Sequence, residues 1–142
     1  MDKIKLSGML ENCVFCKIAE GKFPSYKVYE DENFLAFLDK FPRTPGHIQV
    51  IPKIHYRWVY DVPNFGEYFE VARKIVDGVK KALNPRLVHL VTIGDEVPHA
   101  HIHVVPRFED DGHGVLIDMS KTLNLSDEEM NGIAERVRSK IS

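Results

Sequence analysis

Three histidines, His99, His101 and His103, alternate with Ala100 and Ile102, and Val104, Val105, Pro106 and Arg107 follow. Successive side chains of a strand point to opposite faces. The pattern therefore predicts a strand over 100–105, with three imidazoles on one face and Ala100, Ile102 and Val104 packed on the other. Packing has no use for such a row. Aligned imidazoles of near-neutral pKa serve as base, acid, nucleophile or ligand, so the row marks the expected functional site.

The surrounding pattern predicts an α+β domain. Strand-like segments run over 26–29 and 34–38, parted by the acidic turn 30–33, and again over 47–51 and 87–93. Apolar residues at helical spacing from Phe65 to Leu83 predict one long crossing helix, with Asn64 as N-cap and Glu67 three residues on. Ser126 and Glu129 form a capping box before a C-terminal amphipathic helix, and a turn or two of helix is expected over 13–19. This order suits a largely antiparallel five-stranded sheet with helices on one side. Residues 1–12 read as a lead-in and 13–142 as a single domain.

The chain has 142 residues, 44% hydrophobic and 28% charged, which fits one globular domain with a core. A formal charge of −2 gives no electrostatic case for nucleic acid or an anionic membrane. No apolar run approaches the ~20 residues of a membrane span, and residues 1–11 lack a signal-peptide core. The expected location is the cytoplasm.

Cys13 and Cys16, a C-x-x-C pair, have the spacing of half a tetrahedral zinc site. The other half must come from histidine: His55 or a member of the row, a choice that spacing leaves open. Positions 99 and 103 lie ~13 Å apart along a strand, so one metal cannot take all three imidazoles. The competing readings are plain buried cysteines and a redox pair, and nothing before Cys13 resembles the strand that a redox pair follows.

With these residues in view, the chain resembles the histidine triad (HIT) family. The resemblance runs from about Cys13 to Phe108. It is carried by His99 to Val105, by 13–18 (CVFCKI), by 37–39 (FLD) and by 45–55 (PGHIQVIPKIH). It looks most like the zinc-containing bacterial and archaeal members of the nucleotide-binding branch, and so implies the HIT-like fold. It implies that His101 is the nucleophile at the α-phosphate of a nucleotide, and that His103 and His47 contact the phosphate and hold that ring. It implies that Asp39 accepts from ribose hydroxyls and that Phe15, Val14 and Ile18 wall the base pocket. Zinc would be structural, on Cys13, Cys16, His55 and His99. A homodimer is the family's usual state; the apolar face of helix 65–83 is either its interface or core.

The implied reaction cleaves a nucleoside monophosphate derivative (a phosphoramidate, or an acyl- or amine-adenylate) through a nucleotidyl-histidine. A neutral imidazole is a competent nucleophile if its other nitrogen is held by an acceptor such as a backbone carbonyl. The alternatives are a dinucleotide polyphosphate hydrolase and a nucleotide-binding sensor or scaffold with incidental turnover.

Some residues depart from the family pattern. Asp95 and Glu96 stand where uncharged donors are common, so they point away, are neutralised by Arg43 or Arg107, or mark an unusual substrate. Lys40 and Gln49 stand where aliphatic residues are frequent, so either base preference is altered or both are surface residues, the reading expected for a lone Lys. His89 reads as a packed or edge histidine and His113 as solvated in a flexible loop. Trp58 and Tyr60 read as core or interface, and the Asp/Glu clusters as solvated turns.

Overall fold

The computed structural model describes residues 12–141. All but the last residue of the expected lead-in thus lies outside the described residues. The elements are α1 (Val14–Ala19), β1 (Lys27–Glu30), β2 (Phe34–Leu38), β3 (Ile48–Pro52), a 3-10 turn (Val59–Asp61), α2 (Phe65–Leu83), β4 (Leu87–Val91), β5 (Ile102–Arg107) and α3 (Asp127–Arg138). The five strands form one sheet in the order β1-β2-β3-β5-β4. Every pairing is antiparallel.

Strand periodicity divides the chain between two apolar clusters. Phe34, Ala36 and Leu38 of β2, Ile48 and Val50 of β3, and Ile102 and Val104 of β5 join α2 and α3 in the main core. The alternate residues Leu35, Phe37 and Ile51 meet Cys13, Phe15, Cys16 and Ile18 on the other face. A strand interior buried on both sides needs two coverings. Here α2 and α3 supply one, and the short α1 supplies part of the other. The uncovered remainder of that second face is where the histidines stand.

Helix α2 has the expected bounds, but its cap differs. Asn64 makes no side-chain cap bond; its amide donates to the Glu67 carboxylate at 3.1 Å. The helix ends at Asn84, in the left-handed region at φ 50°. Tyr68, Val71, Ala72, Ile75 and Val79 are buried in the chain's own core, so this apolar face is core. At α3 the capping box is present, with Ser126 Oγ accepting from the Glu129 amide at 3.1 Å.

The third histidine alone lies within its strand. β5 begins at Ile102 and runs through Pro106, past the expected stop at Val105. β3 pairs only with 102–104, so Pro106 faces no β3 residue that would need its missing donor. Before Ile102 the chain leaves the ladder, and Ala100 donates to the Tyr56 carbonyl at 2.7 Å. β4 likewise ends at Val91, two residues before the expected 93. The path turns at Gly94, whose φ of 78° favours glycine and whose absent Cβ would lie 3.1 Å from the Trp58 ring.

The segment after β5 is ordered by a buried ion pair. Arg107 and Asp111 side chains are 2% and 3% exposed and 2.8 Å apart. Arg107 also donates to the Gly114 and Val115 carbonyls, and Asp111 accepts from the Phe108 and His113 amides. The Asp110–Asp111 cluster is therefore not simply a solvated turn. The guanidinium beside it holds the Asp111 carboxyl well below the usual range.

Candidate active site and metal centre

Two polar clusters share the face of the sheet opposite α2 and α3. The first joins Cys13, Cys16, His55 and His99, all buried, with one ligand atom from each within 4.8 Å of the others. His99 Nδ1 lies 3.3 Å from Cys13 Sγ and 3.4 Å from Cys16 Sγ, and His55 Nδ1 lies 3.2 Å from Cys16 Sγ. His99 Nε2 faces the Pro52 carbonyl at 2.8 Å. A carbonyl only accepts, so Nε2 carries the proton and Nδ1 turns a lone pair to the sulfurs. His55 Nε2 is buried with no hydrogen-bond partner among the described residues. The hydrogen bond between the two thiols lowers Cys13 and raises Cys16, so one of the pair sheds its proton readily. Zinc bonds of ~2.3 Å to sulfur and ~2.0 Å to nitrogen give tetrahedral edges of about 3.3–3.8 Å. The donor set and its spacing fit such an ion, and the cluster could hold a metal.

The second cluster is His47, His101 and His103 with Asp39. His101 Nδ1 donates to the His99 carbonyl at 2.7 Å, which leaves Nε2 bare. The Arg43 amide donates to His47 Nδ1 at 3.1 Å, so His47 Nε2 holds the proton. It gives that proton to His103 Nδ1 at 2.9 Å, and His103 in turn carries its own on Nε2. Burial pushes His47 and His103 down to about 3 and lowers His101 as well. All three rings are neutral near pH 7.

Asp39, His47 and His103 also lie close enough to suggest a second metal position. Their hydrogen bonding argues otherwise. Asp39 Oδ2 already accepts from Arg43 Nη1 at 3.0 Å and Gln49 Nε2 at 2.8 Å, and Oδ1 from the Phe41 amide at 2.8 Å. A guanidinium stands where a second cation would be repelled.

His101, His103 and Asp39 open onto a cleft of about 1050 Å³. Val14, Phe15, Ile18 and Phe37 line one part of it. The Phe15 ring meets His101 edge-on at 5.3 Å between centroids and Phe37 at 5.6 Å. The structure thus brings together His101, His103, Asp39, Phe15, Val14 and Ile18, with His47 behind His103. His99 points into the other cluster.

Several expectations change. Gln49 is not a surface residue: it is 7% exposed and holds Asp39. Lys40 is exposed at the cleft. Asp95 and Glu96 line the cleft, yet Arg107 is committed to Asp111 and Arg43 to Asp39, so neither is paired with them. Trp58 is half-buried and Tyr60 is 73% exposed, stacked on each other outside the core. His89 is half-buried on the edge strand β4, as expected. His113 is half-buried and bonded at both nitrogens, not simply solvated. The sequence reading missed Arg43 as the brace of both Asp39 and His47. The signal was its position four residues from each.

A family model described as the HIT domain matches residues 20–110. An uncharacterized HIT-like protein of Methanocaldococcus jannaschii is 38% identical over 122 residues, 81% of this chain and 94% of that one. An adenylylsulfatase of Arabidopsis thaliana is 34% identical (77% of this chain, 59% of its own). An adenosine 5′-monophosphoramidase of Saccharomyces cerevisiae is 32% identical (74% and 68%). Among solved structures, a HIT-like protein of Bartonella henselae superposes with a TM-score of 0.80 at 28% identity, covering 92% of this chain and 96% of its own. A zinc-bound histidine triad protein of Mycobacterium smegmatis gives 0.76 at 29% identity, covering 93% and 94%.

Proposed function

Since this chain belongs to the histidine triad family, and with it to a family of nucleotide hydrolases, we propose that it cleaves nucleoside monophosphate derivatives at the α-phosphate through a covalent intermediate on His101. The observation that carries this reading is the His101 ring, with Nδ1 tied to the His99 carbonyl and Nε2 bare on the cleft. Nε2 attacks phosphorus, the bond to the leaving group breaks, and the leaving group departs with its electron pair, an amine taking up a proton from solvent that the later attack of water returns. The His99 carbonyl offsets the positive charge that forms on the ring. His103 Nε2–H donates to a phosphoryl oxygen as charge develops there. Water then attacks phosphorus, the P–N bond breaks, and the nucleoside monophosphate leaves with His101 restored.

Phe15, Val14, Ile18 and Phe37 would sandwich the base. A carboxylate offers roughly four acceptor sites. Three of Asp39's are taken within the chain, so it receives one ribose hydroxyl rather than two. The leaving group is an amine, acyl or sulfate group. Relatives named as an adenylylsulfatase and a monophosphoramidase support this class. Zinc on Cys13, Cys16, His55 and His99 would fasten α1 and the loop before β5 to the end of β3, with no position open to substrate. The reading includes a reducing, cytoplasmic setting. It also includes a homodimer through the edge strand β4, where Leu87 and Leu90 are exposed; sedimentation would report the dimer.

The test is rapid acid-free quenching of protein with an amine-linked adenosine phosphoramidate, followed by mass spectrometry. An acid-labile nucleotidyl adduct on His101, absent from His101→Ala, is expected. Slow release of the monophosphate that survives the substitution, with no adduct, would favour a nucleotide-binding sensor instead.

A further inference from the structure

His113 lies outside the triad, yet its ring is linked to it. The Asp118 amide donates to His113 Nδ1 at 3.1 Å. His113 Nε2 faces the Arg43 carbonyl at 3.0 Å. An amide can only donate and a carbonyl can only accept, so the ring is neutral with its proton on Nε2. The same residue, Arg43, donates its backbone N–H to His47 Nδ1. His47 passes the polarity on to His103. The Arg43 carbonyl and N–H belong to adjoining peptide units, so the His113 bond fixes the position of residue 43, and the donor chain itself runs from the Arg43 N–H through His47 to the N–H that His103 presents at the cleft.

The anchor on Arg43 is built on both sides. Arg43 Nε donates to the Met119 carbonyl at 2.9 Å, and the Leu123 amide donates to the Pro42 carbonyl at 2.7 Å. The buried Arg107–Asp111 pair fixes the start of the loop, and Asp111 also accepts from the His113 amide. The His113 ring itself is therefore held, and it bears on the one backbone segment that decides the His47 tautomer. Were that segment to shift, His47 could turn its proton to Nδ1, and His103 would face the cleft as an acceptor. An acceptor there would repel a phosphoryl oxygen.

We propose that His113 is a positioning residue. By bridging Asp118 and Arg43 it fixes the backbone that sets the His47 and His103 tautomers, and so keeps His103 a donor to the substrate. The proposal rests on the reaction proposed above for its catalytic consequence, and on free-protein geometry for the tautomer itself.

The experiment uses the full chain and three variants: H113F, H113N and H113Q. Phenylalanine removes both bonds. Asparagine keeps an acceptor in the place of Nδ1, and glutamine keeps a donor in the place of Nε2. Nitrogen-15 NMR of the imidazoles reports the tautomers, and steady-state turnover of a nucleoside phosphoramidate reports kcat and KM. H113Q is expected to keep the Nε2–H form of His103 and a kcat within ~3-fold of wild type. H113F and H113N are expected to mix the His103 tautomers and lose roughly 10-fold in kcat, with KM moved less than ~3-fold, the scale expected for a misplaced group. An unchanged His103 spectrum in H113N and H113F would overturn the proposal, as would H113N and H113Q behaving alike. The asparagine–glutamine pair decides the matter even if H113F does not fold. Tautomers that respond as expected in a protein with no turnover would uphold the positioning role and overturn the reaction instead.

Discussion

The two histidine clusters are made of the same side chain on the same face of the same sheet, and they differ in what each ring nitrogen meets. In the cysteine cluster, His99 and His55 aim Nδ1 at sulfur and stand closed in on all sides. In the cleft cluster, His101 ties Nδ1 to a carbonyl and leaves Nε2 facing a large opening. One residue, Ala100, separates His99 from His101, yet the His99 carbonyl serves one cluster while its ring serves the other. Residue type therefore does not assign the job; the partner of the second nitrogen does.

The sharpest break of this contrast is His101→Ala, which should lower kcat/KM by at least ~10³-fold while leaving bound metal and unfolding temperature nearly unchanged. Steady-state kinetics beside metal analysis and a thermal melt would measure it. The mirror-image substitution is Cys16→Ser. It should abolish stoichiometric zinc and cost several kcal/mol of stability, on the order of 10 °C in Tm. Turnover should fall only as far as the folded fraction does. Loss of turnover in a fully folded, metal-free protein would merge the two clusters into one functional unit.

Acid should act on the cleft cluster through stability. His47 and His103 have folded pKa values of about 3, below the ordinary 6.5. Their neutral burial is fully tolerated above pH 6.5 and increasingly penalised from there down toward pH 3, where the unfolded chain binds more protons. Near pH 5 that difference is about two protons, a slope on the order of 2–3 kcal/mol per pH unit. His103→Asn should remove about half of the slope in denaturant titrations run from pH 7 to 5. The smallest effect concerns the acidic rim. Asp95 and Glu96 are exposed, so water screens them. Glu96→Ser should raise kcat/KM on a plain nucleoside phosphoramidate by only a few-fold; a gain above ~100-fold would mean the carboxylate reaches the phosphate unscreened.

Much of this was legible beforehand because it is local. The α2 bounds and the α3 capping box follow from periodicity and local sequence, which neighbouring residues impose on one another. The resemblance placed all four members of the cysteine cluster, and the structure gathers them. What failed was non-local. His113 read as solvated because its partner, Arg43, comes from a distant part of the chain. Asp111 is the exception, since Arg107 stands only four residues before it and the pairing was within reach of the sequence. The burial of Gln49 was hidden because its partner, Asp39, sits ten positions away, just past the end of β2.

The alternating histidines pointed by themselves to imidazoles gathered at one site, but only His103 stands in the strand, so the pleat alone does not account for the arrangement. Folding alone decided which of them meets sulfur, which meets a carbonyl and which meets open space. A ring nitrogen's chemistry depends on the atom about 3 Å away; for His99, His103 and His113 that atom comes from a distant part of the chain, and for His101 it is the carbonyl two residues back.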